Sequence, residues 1–344
     1  MGNISKFQLL ISIMLFALLT ACSGSAEEET EVSTDSSNEN GNSEAITLDA
    51  VSFIPTNHPV TATIQDWIDN VQEATDGRVE INWRGGPDVV PVSEQLEAMK
   101  SGVTDITFGF IGQYQSQLPE ASAIALSKNK PWEERENGFY DFMVDRHENL
   151  DIRYIGRYFT GAPRIWFNEP IESIEDLNNK VIRASANYQR FFDELGISST
   201  MTDQADVYTS LQSGLVEGFV HGTLIGPRQD GWTDTAKYVL DVPFWTDNAV
   251  ILMNNTSWDN ISDADQQAIV EATTEYEKDM VEYFEEVFEE ERKELEGLGV
   301  EFIKFKNESD ETEFLEIAYD VEWSYLAEEL PEEITIDELR ELTE

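Results

Sequence analysis

Short apolar segments alternate with longer amphipathic segments through most of the chain, and this alternation is the strongest constraint on its fold. Residues 46–53 have the apolar pattern of a strand, and residues 59–75 have that of a helix with Trp67 and Val71 on one face. Such alternation predicts α/β architecture with mixed sheets. The other predicted strands are 79–83, 106–110, 152–158, 164–167, 181–183, 218–220, 248–253 and 300–305. The other predicted helices are 93–101, 133–147, 188–195, 205–213, 262–295 and 311–326.

One of these helices is unusually long. Ser262 is a favourable N-cap, and the apolar pattern that follows it continues to Leu295, before Gly297 and Gly299. A helix of more than about 30 residues is about 45 Å long or longer, which exceeds the needs of one small lobe. We therefore expect a helix that connects two lobes. Two helices separated by a bend are the alternative.

The first 22 residues are typical of an export signal. Lys6 supplies a positive charge, and an uncharged, mostly apolar run occupies residues 7–21. This run is shorter than the about 20 apolar residues that a membrane span needs, so a signal peptide is favoured. Its end, the LTAC sequence at 19–22, resembles a bacterial lipobox, which implies a lipid on Cys22. A chance cysteine after an ordinary signal is the alternative.

Cys22 is the single cysteine of the chain, which excludes an intrachain disulfide and a multi-cysteine zinc site. Residues 23–45 are rich in Ser, Glu, Asn and Thr and have almost no apolar side chains. Such a segment cannot bury enough surface to fold, so it predicts a disordered tether between the lipid and the folded body. The expected location is extracytoplasmic, with the protein anchored to the cell membrane.

The chain is strongly acidic. It has 69 acidic and 22 basic residues and a net charge of -47. Nucleic acid is excluded as an expected partner, because phosphate binding needs a basic surface. Acidity of this degree favours solubility, and its self-repulsion is screened in concentrated salt. We infer a saline habitat for the source organism, with an alkaline one as the alternative.

Several ordered motifs in the centre of the chain resemble those of one transport family. They are GAPR at 161–164, SIEDLNNKVIR at 173–183 and DVYTSLQSGLVEG at 206–218. Together they are similar to the substrate-binding proteins of TRAP transporters, the tripartite ATP-independent periplasmic systems. The resemblance extends from residue 46 to about 326. Asn179 stands where the family usually has glycine, so we expect a positive φ there, which Asn tolerates.

This resemblance implies a two-lobed periplasmic-binding-protein-like fold with a hinge and a long interlobe helix. Lobe 1 is expected at 46–161 plus 249–275, lobe 2 at 162–248 plus 276–330, and a C-terminal tail at 331–344. The implied ligand is a small organic acid anion, and the implied partners are the small and large membrane subunits of a TRAP permease. We expect no cofactor and no metal-ligating residues, and whether a metal ion accompanies the ligand stays open.

The family binds the ligand carboxylate with the arginine that ends the KVIR stretch, which is Arg183. A guanidinium offers paired donors in a plane that matches both carboxylate oxygens. Arg164 lies where the family has a second ligand arginine, and its alternative role is to brace the cleft. His221 occupies a position that is often polar in the family, with an ion pair to acidic neighbours as the alternative.

Five further residues are weaker candidates for the ligand site. Asn187 and Tyr188 open the helix after Arg183, whose positive end favours an anion. His58 follows the first strand, Phe110 ends the strand at 106–110, and Trp245 precedes the strand at 248–253. Phe110 and Trp245 would pack on a hydrocarbon part of the ligand. Each of these three is otherwise expected in the core.

Three other functions remain as alternatives. The chain has no GxSxG, HExxH or GxxxxGK[ST] motif and only three histidines, so no catalytic site is indicated, although a secreted hydrolase remains open. A binding protein for another transporter or for a sensor would use the same capture chemistry. A structural surface protein would lack a cleft that closes.

Overall fold

A computed structural model describes residues 45–202, 206–246 and 249–344. The predicted signal peptide, Cys22 and all but the last residue of the predicted tether lie outside the described residues. Within the described ranges, no helix is both long enough and apolar enough to cross a membrane.

The described residues form two lobes, each built on a mixed β-sheet, which confirms the predicted α/β two-lobed fold. The strands are β1 Ile46–Ser52, β2 Val79–Gly85, β3 Ile106–Phe110, β4 Ile152–Arg157, β5 Arg164–Phe167, β6 Val181–Arg183, β7 Ser198–Thr200, β8 Gly218–His221, β9 Tyr238–Leu240, β10 Ala249–Asn254 and β11 Glu301–Ile303. The helices are α1 Ile64–Ala74, α2 Val92–Lys100, α3 Ala123–Leu126, α4 Pro131–Asn137, α5 Phe139–Glu148, α6 Gln189–Glu194, α7 Val207–Gln212, α8 Asn255–Asp259, α9 Asp263–Gly297, α10 Glu308–Glu329 and α11 Ile336–Thr343.

Lobe 1 carries a five-stranded sheet in the order β2-β1-β3-β10-β4, and lobe 2 a six-stranded sheet in the order β11-β9-β5-β8-β6-β7. In lobe 1, β1 pairs in parallel with β2 and β3, while β10 returns from lobe 2 and runs antiparallel to β3 and β4. All six residues of β10 are buried, as expected for a strand covered on both faces. In lobe 2, β6 lies parallel to β7 and β8.

The long helix is continuous and extends between the lobes. Ser262 Oγ accepts a hydrogen bond from the backbone N–H of Asp265 at 3.2 Å and caps α9. The helix packs on α1, α4 and β4 of lobe 1 and reaches β11 of lobe 2. Ion pairs fix both halves, with Arg135–Glu277 at 2.7 Å in lobe 1 and Arg228–Glu291 at 2.7 Å in lobe 2. The alternative of two helices with a bend is therefore wrong.

Other predicted elements need correction. The helix predicted at 133–147 is two helices, because Gly138 between α4 and α5 has a φ of 94°, in the left-handed region. The segment predicted as a C-terminal tail contains α11. Leu339 of α11 is fully buried in the same hydrophobic cluster of lobe 1 as Ile152. The strands β7 and β9 were not predicted, because three residues are too few for a clear periodic pattern.

Candidate functional site

Arg183 lies at the carboxyl end of β6, on the edge where parallel β6, β7 and β8 all end. In open α/β sheets, ligands bind outside this edge. The guanidinium is partly buried and donates from Nε at 3.2 Å and from a terminal nitrogen at 3.1 Å to the backbone carbonyl of Thr202. Arg183 also lines an open depression of about 520 Å³ together with Ser185, Met201 and Asp206.

His221 ends the neighbouring strand β8 and lies on the same edge. Its ring packs edge-to-face against Trp232 at a centroid distance of 5.7 Å, and its Nδ1 lies 2.8 Å from the carbonyl oxygen of Thr223. Burial lowers the pKa of His221 below its usual value. The hydrogen bond with the Thr223 carbonyl opposes this shift, and the positive charge of Arg183 adds to it.

His58 follows β1 in lobe 1 and contributes to the electrostatics of His221. It caps the short 3-10 turn Pro59–Thr61, and its Nδ1 accepts from the backbone N–H of Val60 at 3.2 Å. Burial lowers the pKa of His58, and the charge of Asp230 opposes this shift. The charge of His58 in turn lowers the pKa of His221. The charges of Arg183, Asp230 and His58 therefore all influence the pKa of His221, and Asp230 also influences that of His58.

Arg164 opposes His221 in the register of β5 and β8, but its guanidinium is engaged elsewhere. Its Nε donates to Asp241 Oδ1 at 3.2 Å, and a terminal nitrogen donates to the carbonyl oxygen of Ala162 at 3.3 Å. Asp241 also accepts from Arg292 of α9 at 2.9 Å. Asp241 thus joins β5 to the interlobe helix, and Arg164 braces the lobe in this arrangement.

A second group of candidates lines a cavity of about 290 Å³ between the lobes. Tyr188 and Trp245 stack there, with ring centroids 5.6 Å apart and an interplanar angle of 9°. Trp245 has a φ of 55°, a strained value for a bulky residue, and its Nε1 donates to the carbonyl oxygen of Ala318 in α10 at 2.8 Å. Asn187 lines the same cavity. The remaining lining residues are Gln115, Ser122, Ala125, Leu126, Pro163, Ala186, Arg190, Gly222, Thr246, Glu322, Tyr325 and Leu326.

Phe110 is the last residue of β3 in lobe 1. Its ring packs on Phe53 at a centroid distance of 4.7 Å, and its backbone N–H donates to Gln113 Oε1 at 3.1 Å. It lines another open depression, of about 680 Å³, with Val92 and Leu96.

Several residues near the candidates were not predicted. Asp230 is one of 69 acidic residues, and nothing in its local sequence distinguishes it. Arg190 and Glu322 form a two-point ion pair at the cavity, with nitrogen–oxygen distances of 3.1 and 2.5 Å, although 132 positions separate them. Neither Arg190 nor Glu322 lies in the motif at 173–183, so the family resemblance did not identify them. Across the part of the chain that the structure describes, no group of three or more His, Cys, Asp or Glu side chains could hold a metal ion.

Comparisons with known structures define the class of protein. A TRAP periplasmic solute binding protein from Ochrobactrum anthropi, solved with a C-terminus in its ligand-binding pocket, superposes with a TM-score of 0.76 at 18% identity. That alignment covers 87% of this chain and 95% of the other. A second such protein, from Chromohalobacter salexigens with bound D-glucuronate, has a TM-score of 0.68 at 19% identity and covers 86% of this chain and 99% of its own. The fold is therefore that of the two-lobed solute-binding proteins.

Sequence comparison identifies the family. The model of the bacterial extracellular solute-binding proteins, family 7, matches residues 50–319, and the chain belongs to this family. A solute-binding protein from Chromohalobacter salexigens is 21% identical over 263 residues, which cover 74% of this chain and 78% of the relative. The resemblance to TRAP substrate-binding proteins is confirmed. The family consists of solute-binding proteins rather than enzymes, and these proteins act outside the cytoplasm.

Proposed function

We propose that this protein captures a small organic acid anion by closing its two lobes around Arg183 and delivers the anion to a TRAP membrane permease. In this proposal a lipid on Cys22 anchors the protein to the outer face of the cell membrane. The ligand carboxylate accepts paired hydrogen bonds from the Arg183 guanidinium. Arg164 braces the site through Asp241, and His221 and His58 complete the polar wall from the two lobes.

The proposal is supported chiefly by the position of Arg183 and His221 at the ends of two adjacent parallel strands of lobe 2, with His58 of lobe 1 contributing to the electrostatics of His221. An anion bound between them would contact both lobes at once. It would therefore favour the closed arrangement, because a ligand stabilises the conformation in which it makes more contacts. The glucuronate bound to the Chromohalobacter protein is a carboxylate of this general kind.

The strong overall negative charge does not prevent anion capture. Repulsion from distant surface carboxylates is screened over about 10 Å at 0.1 M salt and over about 3 Å at 1 M salt. Contacts with a partly buried guanidinium are screened much less. The proposal therefore requires a local positive region within an acidic exterior, and Arg183 provides it.

The test is a thermal-shift screen of organic acids in high salt, followed by calorimetry on the best ligand. The screen includes hexuronates, dicarboxylates, 2-oxo and 2-hydroxy acids and aromatic acids, because a ligand of the folded state raises Tm. Arg183→Ala should weaken binding about 30-fold or more, since removing one partner of a desolvated charge pair costs about 2–5 kcal/mol.

Arg84→Ala is the matched control. Arg84 lies on β2, forms an exposed ion pair with Asp49 at 2.7 Å, and its loss changes the net charge by the same amount. We expect this variant to bind like the wild type. Unchanged binding by a folded Arg183→Ala protein would overturn the assignment of Arg183. Turnover of the bound acid would favour a hydrolase, and stimulation of a kinase instead of a permease would favour a sensor.

A further inference from the structure

Met201 differs from the other methionines of the described ranges in its exposure to solvent. It is 69% exposed, although methionine is one of the residue types that are most often fully buried. The other four are at most 1% exposed, and they are Met99, Met143, Met253 and Met280. Oxidation of a thioether requires contact between the sulfur and the oxidant. In the part of the chain that the structure describes, the folded protein therefore presents one readily oxidised methionine.

Met201 lies beside the arginine of the candidate site. It directly follows β7, whose last residue, Thr200, is the register partner of Arg183 in the parallel pair of β6 and β7. The residue after Met201 is Thr202, whose carbonyl oxygen accepts hydrogen bonds from two nitrogens of Arg183 at 3.2 and 3.1 Å. Met201 and Arg183 also line the same open depression of about 520 Å³. Strand register, hydrogen bonding and the shared lining thus all place Met201 next to Arg183.

Oxidation would change the chemistry of this depression. The thioether of methionine is apolar and a weak acceptor, whereas a sulfoxide is polar, and its oxygen carries a partial negative charge. A carboxylate that binds Arg183 is also an acceptor with negative charge. The sulfoxide oxygen and the carboxylate would therefore repel each other and compete for the same guanidinium. An anion that covers the sulfoxide would also remove its water, which is unfavourable unless another donor replaces that water.

We propose that Met201 is a modification site, at which oxidation of the thioether to a sulfoxide by a peroxide reversibly weakens capture of an anion at Arg183. The effect on binding rests on the proposed function, whereas the selective oxidation of Met201 does not depend on it. The family acts outside the cytoplasm, so the side chain meets peroxides of the surroundings directly.

The reaction is balanced with hydrogen peroxide alone. The sulfur of Met201 attacks one peroxide oxygen, the O–O bond breaks and an S–O bond forms. The sulfur loses two electrons, and the departing hydroxide takes the proton of the transferred oxygen and leaves as water. Methionine sulfoxide reductases for the two sulfoxide epimers restore the thioether. They oxidise a dithiol to a disulfide, and the oxygen leaves as water.

The first experiment needs no ligand. The folded protein is treated with hydrogen peroxide and digested, and mass spectrometry of the peptides follows the gain of one oxygen atom at each methionine. We expect Met201 to react at least about 10-fold faster than the four buried methionines, because susceptibility of a sulfur follows its exposure. In concentrated urea all five should react at similar rates. Equal rates in the folded protein for Met201 and a buried methionine would overturn the proposal.

The second experiment measures Kd by calorimetry before peroxide treatment, after it, and after reduction by both reductases. The probes are D-glucuronate, succinate, pyruvate, lactate and benzoate. For an acid that binds, the Kd should rise about 10-fold or more on oxidation, as expected for covering a polar group without a partner, and it should return on reduction. The bound acid should also slow the oxidation of Met201, because it occupies the depression that this side chain lines.

Met201→Leu is the matched variant, because leucine has a similar volume and no sulfur. Whatever the affinity of this variant, peroxide should leave it unchanged. An unaltered Kd after complete oxidation of Met201, or an equal loss of affinity in the leucine variant, would defeat this inference and leave the proposed function standing. If none of the five acids binds the untreated protein, the proposed function is contradicted, and the effect of oxidation on binding fails with it.

Discussion

Arg157 and Arg183 occupy equivalent places in the two lobes, because each is the last residue of a strand, β4 in lobe 1 and β6 in lobe 2. Arg157 is only 1% exposed, pairs with the buried carboxylate of Glu134 and donates to the carbonyl oxygen of Ile124. Arg183 is partly exposed, ends the strand next to that of His221 and donates to the Thr202 carbonyl. The two arginines differ in their surroundings rather than in their position in a strand, and we expect this difference to separate a structural arginine from one that can bind a ligand.

The charged interior of lobe 1 extends to the interlobe helix. Glu277 of α9 accepts from Arg135 at 2.7 Å and from the backbone N–H of Arg157 at 2.9 Å. Gly156 permits this approach, because a Cβ there would lie 2.5 Å from Glu277 Oε1 and 2.8 Å from Thr273 Cγ2. Removing one member of such a buried network strongly lowers the free energy of unfolding, since the charge that remains has no water to solvate it.

The largest expected effect is the loss of stability on removing the partner of Arg157. Glu134→Gln should lower the free energy of unfolding by about 3–5 kcal/mol, because it leaves a buried guanidinium without its counter-charge. Urea unfolding followed by circular dichroism measures this, and Arg183→Ala should change stability by less than about 1 kcal/mol.

Glu134→Met combined with Arg157→Met supplies the control. The double variant leaves the Arg135–Glu277 pair in place and removes both charges, so it should recover much of the lost stability. The comparison between the lobes breaks down if Arg183→Ala destabilises the protein as much as Glu134→Gln.

The next effect concerns His147, the fully buried histidine of lobe 1, and not the two candidate site histidines, His58 and His221. His147 is fully buried, with Nε2 2.8 Å from the hydroxyl of Tyr114, and burial lowers its pKa to about 4. In the unfolded chain this histidine takes up a proton near pH 6.5, whereas in the folded protein it stays neutral until about pH 4. Its contribution to the free energy of unfolding is therefore fully present above pH 6.5 and is lost as the pH falls towards 4. The loss should be on the order of 3 kcal/mol.

Unfolding free energies measured between pH 7 and pH 4 test this expectation. His147→Gln should reduce the slope of stability against pH in that range, because the group that titrates is gone. The unaltered protein and Asp49→Asn, on the surface of the same lobe, are the references. An unchanged slope in His147→Gln would show that other groups control the acid sensitivity.

The smallest effect concerns Asp241, which lies between the binding edge and the interlobe helix. Burial tends to raise its pKa, but Arg292 and Arg164 outweigh this and hold the pKa below its usual value. Asp241→Asn should lower the free energy of unfolding by about 1 kcal/mol, since the pair is partly exposed. Ligand affinity, measured by calorimetry, should fall a few-fold because β5 loses its connection to α9. Tighter binding would instead assign Arg164 to direct contact with the ligand.

The long-range architecture could be predicted from the sequence wherever the local chemistry was unambiguous. Ser262 and the glycines near residue 297 predicted the ends of α9, and the positive φ expected at Asn179 is confirmed at 65°. The family motifs predicted the transport class. The break at Gly138 was missed because the apolar pattern continues through it, although glycine is the residue that best adopts its left-handed conformation.

The surroundings of the site could not be predicted in the same way. The sequence identified Arg183, His221 and His58 as candidates, but the backbone groups that contact the two imidazoles are positioned only by the fold. The engagement of Arg164 by Asp241 joins residues 77 positions apart. Pairings of this length depend on packing, and in a chain with 69 acidic residues the choice of carboxylate has no local signature.

The path of the chain has a mechanical consequence. The first described strand, β1, and the last helix, α11, both belong to lobe 1, so lobe 2 is inserted within the polypeptide of its partner lobe. A rotation of the inserted lobe would leave both ends of the described chain at a constant separation. The distance between reporter groups attached at those two ends would therefore not change during the motion. The distance between a reporter on the β6–β7 edge and one on α11 would change.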